Sequence, residues 1–469
     1  MSGLEARGIT RVMPEERELA RHSWSICTEI FTLWFSINLT AMLIIPGLLG
    51  PVIYSLGWVD CICITIFANA LSSGAIGYIA TFGAASGHRT MILGRFFLGY
   101  WPSKMVALLN IIMQIGWATI GTIIAGQMIS VVNGRGLTIV VGCVISGLAI
   151  GIIAIFGLSV VHMYQRYAWA PQMFALLILV GSSGREWDVS LASAGSPGTI
   201  TANRCSFFAL QFSSAIGLAT FAADFNVYYP TTTSRALVFA STWSGNWTAL
   251  LATNIVGVGI GTGIVSGPPD WADAYKTSSA ALLLACYDGL GGLGELCLII
   301  FAFGSIASNA PSTYTAANMC QVLGLHAQAV PRWAWCLVLM VIELVCSVAG
   351  RNSLYNIFEN FLPIMSYWIC PWLTIVIEEH LIFHVLRNVP FDWTTWEAPG
   401  QLPLGIAALL AWLVGWAGAI IGMDQVWYQG PLALRIGDYG GDIGVWLAMG
   451  FAGIVYPALR FGELKMIGR

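Results

Sequence analysis

Residues 306–315 read "IASNAPSTYT", and they lie within a long apolar run that begins near Leu296 and resumes toward Leu323. The middle of the stretch places Ser308, Asn309, Pro311, Ser312 and Thr313 where hydrocarbon would otherwise be expected. Hydrocarbon offers no partner to a polar group, so such a stretch is tolerated in a membrane helix only where it faces protein or a water-filled cavity. The stretch therefore predicts a membrane helix that Pro311 helps to open locally.

The composition is that of an integral membrane protein. Of the 469 residues, 57% are hydrophobic and 9% are charged, whereas a soluble domain carries about 25% charged residues. Mean hydropathy is +0.76. The net charge of −3 gives no indication of a nucleic-acid or acidic partner. Residues 1–22 are polar and charged, which excludes the apolar core of a signal peptide there.

Apolar runs recur along the chain, and about 20 residues suffice for one crossing of the hydrocarbon. They predict twelve spans, near 27–49, 58–83, 105–132, 138–160, 167–183, 205–228, 236–264, 293–320, 333–349, 361–384, 402–423 and 443–460. The fifth span is short and includes Pro171 near its start. Most of the 20 Lys and Arg residues fall on the side of the amino terminus, which predicts that both termini are cytoplasmic.

Motifs that would indicate an enzyme are weak in this chain. "GLGGLG" (289–294) resembles a dinucleotide loop, but no strand precedes it. "EEHLIFH" (378–384) places His380 and His384 one helical turn apart, without the Glu that follows the first His in a metalloprotease. The eleven cysteines show no metal spacing. We predict no catalytic residue, no metal and no cofactor.

Interrupted helices favour a transporter. The first span, with "SINLTAMLIIPGLLGP" (36–51), carries Asn38 and Pro46, and the sixth, with "SSAIGLATFAADFNVYYP" (213–230), carries Gly217. These spans are five apart, as two inverted five-helix repeats require, and unwound helices at matching positions mark a transporter's midplane site. The alternative is that these small and polar residues only pack helices together. A channel would need a repeated filter, and none is visible. A non-transporting solute sensor would usually add a signalling domain.

Several motifs are similar to those of fungal purine–cytosine permeases of the nucleobase–cation symporter 1 family. They are "ARGITRVMPEERE" (6–18), "HRTMILGRFFLGYWPSK" (88–104), "GWATIGTIIAGQ" (116–127), "VVHMYQRYAWAPQ" (160–172), "AADFNVYYPTTTS" (222–234) and "ENFLPIMSYW" (359–368). The resemblance covers nearly the whole chain. It implies proton-coupled import of a small heterocyclic solute across the plasma membrane.

The resemblance also implies an all-α membrane protein of twelve helices with a five-plus-five inverted repeat. Residues 1–26 would form a cytoplasmic segment, 27–183 the first repeat, 205–384 the second, 402–460 two added helices and 461–469 a cytoplasmic tail. Helices 1 and 6 would be interrupted. Solute, protons and lipid are the partners predicted, and no protein partner is predicted.

Site residues follow by resemblance, position by position. Trp117 matches the family's stacking tryptophan, Gly121 stands where an amide is frequent, and Leu218 stands where a second aromatic residue is expected. Asn309 and Pro311 match the family's eighth-span motif, whereas serines replace its flanking asparagines. The solute-binding set predicted is Asn38, Trp117, Gly121, Leu218, Ala219, Thr220, Ser308, Asn309 and Ser312, and the helix breaks are Pro46, Gly217 and Pro311.

These departures bear on the solute. An amide offers both a donor and an acceptor to the edge of a purine, so its loss at three positions weakens recognition of that edge. Vitamin B6, a pyridine that bears hydroxyls, is therefore the alternative solute to a purine or cytosine. Asp224 is the predicted proton-coupling residue, because burial and neighbours can shift a carboxylate's affinity for protons. The alternative for Asp224 is a structural pair, with Arg235 as one candidate partner.

Overall fold

The computed structural model describes residues 8–18, 22–132 and 136–468, and within α7, defined below, it leaves the side chains of 158–162 undescribed. The predicted segment 1–26 and tail 461–469 therefore lie partly outside the described residues. Within them, the chain forms seventeen α-helices. They are α1 (Ser23–Asn38), α2 (Ile45–Val52), α3 (Trp58–Ser86), α4 (Thr90–Leu98), α5 (Pro102–Val132), α6 (Ile139–Phe156), α7 (Leu158–Ser183), α8 (Pro197–Ile216), α9 (Arg235–Ser266), α10 (Pro269–Thr277), α11 (Ser279–Cys286), α12 (Gly292–Val322), α13 (Leu325–Ala329), α14 (Arg332–Gly350), α15 (Leu354–Glu378), α16 (Ile406–Gly422) and α17 (Gly444–Ile467).

Shorter elements connect or extend these helices. The 3-10 helices are Pro14–Glu16, Ala41–Ile44, Gly184–Glu186, Gly217–Asn226, Trp393–Thr395 and Ala433–Arg435, and a π-helix, Glu379–Val385, extends α15. Two strands, β1 (Asp424–Gln425) and β2 (Tyr428–Gln429), pair antiparallel in the connection between α16 and α17.

Nine segments of the described residues are long and apolar enough to cross a membrane. α1 forms a further candidate with residues 41–52, to which it is joined through a bend of 67°. α16 is a shorter apolar helix. The protein is therefore a multi-pass membrane protein built almost entirely from helices.

The bend in the first span lies at Leu39–Thr40, between α1 and the 3-10 helix. Pro46 was predicted as the break, and that position is wrong: it occupies the first turn of α2, where a missing N–H costs no hydrogen bond. Side chains also bind backbone carbonyls on either side of the bend. Asn38 Nδ2 donates to the Trp34 carbonyl at 2.8 Å, and Gln211 Nε2 donates to the Pro46 carbonyl at 3.2 Å.

The eighth predicted span is an unbroken α-helix, α12, with Pro311 inside it. The prediction that Pro311 opens this helix is therefore wrong. Proline removes the N–H that would bind the carbonyl four residues earlier, at Ala307. Gln165 Nε2 donates to that carbonyl at 3.3 Å, while Gln165 Oε1 accepts from Ser36 Oγ at 2.7 Å. A donor from α7 thus replaces the missing bond, and the helix continues.

The sixth span changes its winding partway along. α8 ends at Ile216, and a tighter 3-10 helix, Gly217–Asn226, carries the chain onward from there.

The sequence predicts a fifth span, 167–183, that starts close to Pro171. The structure corrects this start: α7 begins at Leu158 and passes through Pro171 without ending.

A buried ion pair fastens the end of α15 to α17. Glu379 is fully buried, and its carboxylate accepts from Arg460 Nη2 at 2.9 Å and from Tyr456 Oη at 2.6 Å. Arg460 Nη1 also binds Glu463 at 2.7 Å, and Glu463 accepts from the backbone N–H of Ala407 near the start of α16. The motif "EEHLIFH" thus supplies a structural contact among three helices.

Arg460→Leu should lower the apparent melting temperature of the detergent-solubilised protein, because Glu379 would keep its charge without its cation. Breaking such a buried pair costs about 3–5 kcal/mol. Thermal unfolding followed by size-exclusion chromatography measures the shift. Arg387→Leu is the matched control, because Arg387 is exposed in the same region. Adding Glu379→Gln to Arg460→Leu should recover part of the loss, and equal stability of Arg460→Leu and wild type would contradict the assignment.

Candidate functional site

Trp117 of α5 lies against the start of the 3-10 helix in the sixth span. A Cβ built on Gly217 would lie 3.2 Å from Trp117 Nε1, so the glycine allows the indole to approach the backbone. The indole stays partly exposed. Phe361 of α15 packs edge-on against it, with ring centroids 6.1 Å apart. A partly exposed aromatic ring therefore lies beside the point where the helix changes its winding.

Gly121 makes room for Asn309. A Cβ at position 121 would lie 1.9 Å from Asn309 Nδ2, closer than real atoms approach, so α5 and α12 meet through this glycine and this amide. Asn309 Nδ2 donates to the Ser305 carbonyl at 2.7 Å. Its Oδ1 accepts no hydrogen bond from any described residue. The amide is thus oriented by its own helix and keeps one acceptor available.

Two serines of α12 flank this amide. Ser308 and Ser312 keep 8% and 7% exposure on a helix that is otherwise enclosed over this part of its length. The Ser308 hydroxyl donates to the Ser305 carbonyl at 3.2 Å, and the Ser312 hydroxyl has no hydrogen-bond partner among the described residues. Leu218 is also partly exposed. The serines therefore add hydroxyls beside Asn309.

Three other predicted residues, Asn38, Ala219 and Thr220, are buried, and the polar side chains among them are already bound. Asn38 is 2% exposed and donates to Asn246 Oδ1 at 2.7 Å. Thr220 is fully buried and donates to Asn110 Oδ1 at 3.0 Å, and Ala219 is fully buried. Their side chains hold helices together, so the structure favours a supporting role for them over solute contact.

Sequence reasoning missed several residues that the fold brings to the cluster. Phe361 packs on Trp117, and Met42, in the 3-10 helix after the α1 bend, has its sulfur 3.9 Å from Asn309 Nδ2. Asn110 of α5 accepts from Thr220 Oγ1 at 3.0 Å and so joins α5 to the sixth span. Phe361 lies within the motif "ENFLPIMSYW" and Met42 within "SINLTAMLIIPGLLGP". Neither motif indicates which of its apolar side chains faces the cluster, because that depends on helix packing and on the bend.

Asp224 is buried, and each of its two carboxylate oxygens has a neighbouring partner. It is 1% exposed, and its Oδ1 accepts from the Thr90 backbone N–H at 2.7 Å and from Thr90 Oγ1 at 2.9 Å. Arg89 Nη1 lies 3.9 Å from its Oδ2, so the charged partner is Arg89 and the alternative pairing with Arg235 is wrong. These contacts tie the sixth span to the start of α4, which favours the structural alternative for Asp224.

Interrupted helices that meet at a membrane-buried aromatic and amide cluster define a membrane transporter. The family described as permeases for cytosine/purines, uracil, thiamine and allantoin matches residues 18–444, and the chain belongs to it. The family and its structural neighbours are transporters, so the prediction that the protein is not an enzyme is confirmed.

Individual relatives align over nearly the full chain. The purine-cytosine permease fcyB of Emericella nidulans is 32% identical over 99% of this chain and 90% of its own. The vitamin B6 transporter TPN1 of Saccharomyces cerevisiae is 28% identical over 100% of this chain and 89% of its own. The predicted resemblance to fungal purine–cytosine permeases is thereby confirmed.

Solved structures share the fold. MHP1, a nucleobase-cation-symport-1 family transporter in a closed conformation with bromovinylhydantoin bound, superposes with a TM-score of 0.72 at 14% identity, over 98% of this chain and 96% of that chain. Its inward facing conformation gives a TM-score of 0.70 at 12% identity, over the same shares of the two chains. At these identities the likeness establishes the fold.

Gly121→Ala should lower solute uptake on the order of 10- to 100-fold, because a shift of about 1 Å at a binding group is enough for losses of that size. The new methyl group would displace the Asn309 amide. Initial rates of uptake, normalised to the protein at the cell surface, measure the effect. Gly181→Ala is the matched control, since a Cβ on Gly181 meets nothing within 4 Å. Wild-type uptake by Gly121→Ala would contradict a role for the Gly121–Asn309 contact.

Proposed function

We propose that the protein is a secondary active transporter that imports a small planar heterocycle with protons, with a purine or cytosine as the favoured solute. The observation that carries this proposal is the juxtaposition of the partly exposed Trp117 ring, at Gly217, with the unpaired Oδ1 of Asn309, which lies against Gly121 one helical turn along α5. A planar ring can stack on the indole, while polar groups at its edge pair with the amide and the serine hydroxyls.

Twelve spans with a five-plus-five inverted repeat remain the architecture that we propose. α1 with α2, α3, α5, α6 and α7 would form the first repeat within 27–183, and α8, α9, α12, α14 and α15 the second within 205–384. α16 and α17 would be the two added helices within 402–460. Supporting this division, the bend after α1 and the change of winding after α8 fall in the first helix of each half.

Vitamin B6 is the second candidate solute. The chain aligns in full with a vitamin B6 transporter, as it does with purine-cytosine permeases. Gly121 and Leu218 leave the proposed site with one aromatic face and one side-chain amide at the predicted positions, which suits a ring recognised through hydroxyls. A channel or a non-transporting sensor is the alternative of another class, and solute accumulation separates it from a transporter.

Proton coupling, a plasma-membrane location and cytoplasmic termini are parts of the same proposal. Asp224 was predicted to carry the coupling, and its contacts with Arg89 and Thr90 favour a fixed charge instead. Asp224→Asn, if Asp224 carried the proton, would abolish accumulation and leave exchange. The proposal as a whole does not depend on that residue.

Uptake should be measured in yeast cells that lack their own nucleobase and vitamin B6 carriers. Labelled hypoxanthine, cytosine and pyridoxine are supplied separately at acidic pH, with and without a protonophore. We expect accumulation of a nucleobase that collapses with the protonophore. Accumulation of pyridoxine alone would replace the nucleobase with vitamin B6. If none of the three accumulates in cells that display the protein at their surface, the proposed solute class is wrong.

Asn309→Ala should abolish uptake with normal surface expression, because the amide whose Oδ1 is left unpaired would be lost. Sites that pair with a polar solute lose on the order of 10⁴-fold in discrimination when one such partnership is missing. Asn352→Ala is the matched control, since Asn352 is exposed between α14 and α15. Unchanged uptake by Asn309→Ala would remove this residue from the site.

A further inference from the structure

Glu343 of α14 is a buried carboxyl group without a charged partner. Its side chain is 2% exposed, and Oε2 accepts a hydrogen bond from Thr313 Oγ1 of α12 at 2.8 Å. Oε1 is buried and has no hydrogen-bond partner among the described residues. No lysine, arginine or histidine nitrogen of the described residues lies within 4.0 Å of it. The carboxyl group is thus held by one hydroxyl.

The other enclosed carboxylates of the described residues each have a charged partner or several hydrogen-bond donors. Those with an exposed fraction of 5% or less are Asp224, Glu379, Asp442 and Glu463, in addition to Glu343. Asp224 and Glu379 have an arginine and further donors. Asp442 accepts from Tyr367, Gln425 and the Gly444 N–H, and Glu463 from Arg460 and the Ala407 N–H. Glu343 is the exception, because it has one hydrogen-bond donor and no charged partner. Burying an ionisable side chain in the membrane costs free energy, and such residues usually have a function.

The surroundings of Glu343 contain few other groups that could share its proton. α14 packs against α5, α6 and α12. Ionisable residues on these four helices are Lys104 of α5, Cys143 of α6, Glu295, Cys297, Tyr314 and Cys320 of α12, and Arg332, Cys336 and Cys346 of α14. Arg332 lies eleven residues away, about 16 Å along the helix, and binds the Ala154 and Ile155 carbonyls.

The hydrogen bond to Thr313 connects Glu343 to the part of α12 that carries Ser308, Asn309 and Ser312, the proposed solute contacts. Thr313 follows Ser312 directly and lies one helical turn after Asn309 on α12. Protonation removes the charge of the carboxyl group and changes its hydrogen bond with Thr313. Because binding events that act on one element are reciprocally linked, any effect of proton occupancy at Glu343 on solute binding along α12 is matched by an equal effect of the solute on proton binding.

We propose that Glu343 is the residue that carries the coupled proton. This inference rests on the proposed function, since it assigns the coupling step of that transport. A proton from the extracellular side converts the Glu343 carboxylate to the acid while solute binds, and the same proton leaves to the cytoplasm after solute release. No other bond is made or broken in the cycle.

Glu343→Gln tests this assignment, because the amide keeps the volume and an acceptor for Thr313 but cannot titrate. Purified protein is reconstituted in liposomes with a pH-sensitive dye inside, and cytosine, hypoxanthine and pyridoxine are each added. In wild type we expect solute-induced acidification and accumulation above the external level. In Glu343→Gln we expect neither, with solute equilibrating at a ratio of about 1, while exchange of labelled for unlabelled solute stays within about twofold of wild type.

Controls separate the possible failures. Glu295→Gln, on the exposed start of α12, should keep wild-type acidification and accumulation. Wild type that transports none of the three solutes with protons would overturn the proposed function. Wild type that does so, together with a Glu343→Gln variant that still acidifies the liposomes, would overturn the role of Glu343 alone. If Glu343→Gln does not fold, Glu343→Asp should retain acidification with a changed pH profile, and an unchanged profile would contradict the assignment.

Discussion

The absence of water from the hydrocarbon is the constraint on which this structure depends. An unpaired backbone N–H or C=O there costs several kcal/mol, so side chains must bind the backbone groups that an irregular helix leaves without a partner. Asn38 binds the Trp34 carbonyl at the α1 bend, and Gln165 binds the Ala307 carbonyl beside Pro311. Gln165 also accepts from Ser36 of α1, so this one side chain joins the first span to the eighth.

The proposed solute-binding cluster of Trp117, Ser308, Asn309 and Ser312 follows from that placement. Gly121 lets α12 approach α5 until the Asn309 amide occupies the space of a side chain, and Gly217 lets the indole of Trp117 reach the sixth span. Two glycines therefore set the distances between an aromatic face and an amide. The same closeness removes room for the second amide that purine recognition would use, so the geometry and the choice of solute are determined together.

Local sequence predicted much of the fold, because hydrophobic run length and polar interruptions are local properties. The bend of the first span and the glycine at which the sixth changes winding both belong to stretches that the sequence singles out. The behaviour of Pro311 could not be predicted locally, since the donor that replaces its missing N–H is Gln165, on α7. The start of α7 was misplaced for a similar reason: a proline inside a helix is tolerated when neighbours bind the freed carbonyl.

Charge pairing was likewise beyond local reasoning. Asp224 pairs with Arg89, and the sequence gives no distance between residues 135 positions apart. Among the candidate solute contacts, Trp117, Gly121 and Asn309 came together, whereas Asn38 and Thr220 became parts of the scaffold. Residue type and position on a helix indicated polarity in the membrane, but only the packing of α5 against α12 and the sixth span decides which polar groups stay free.

The most direct test of this account is an electron cryomicroscopy structure of the protein with its accumulated solute bound. The account predicts density for a planar ring against the indole of Trp117, with a polar edge within hydrogen-bond distance of Asn309 Oδ1. Density for the ring at another position between the helices, with the Trp117 face empty, would contradict it.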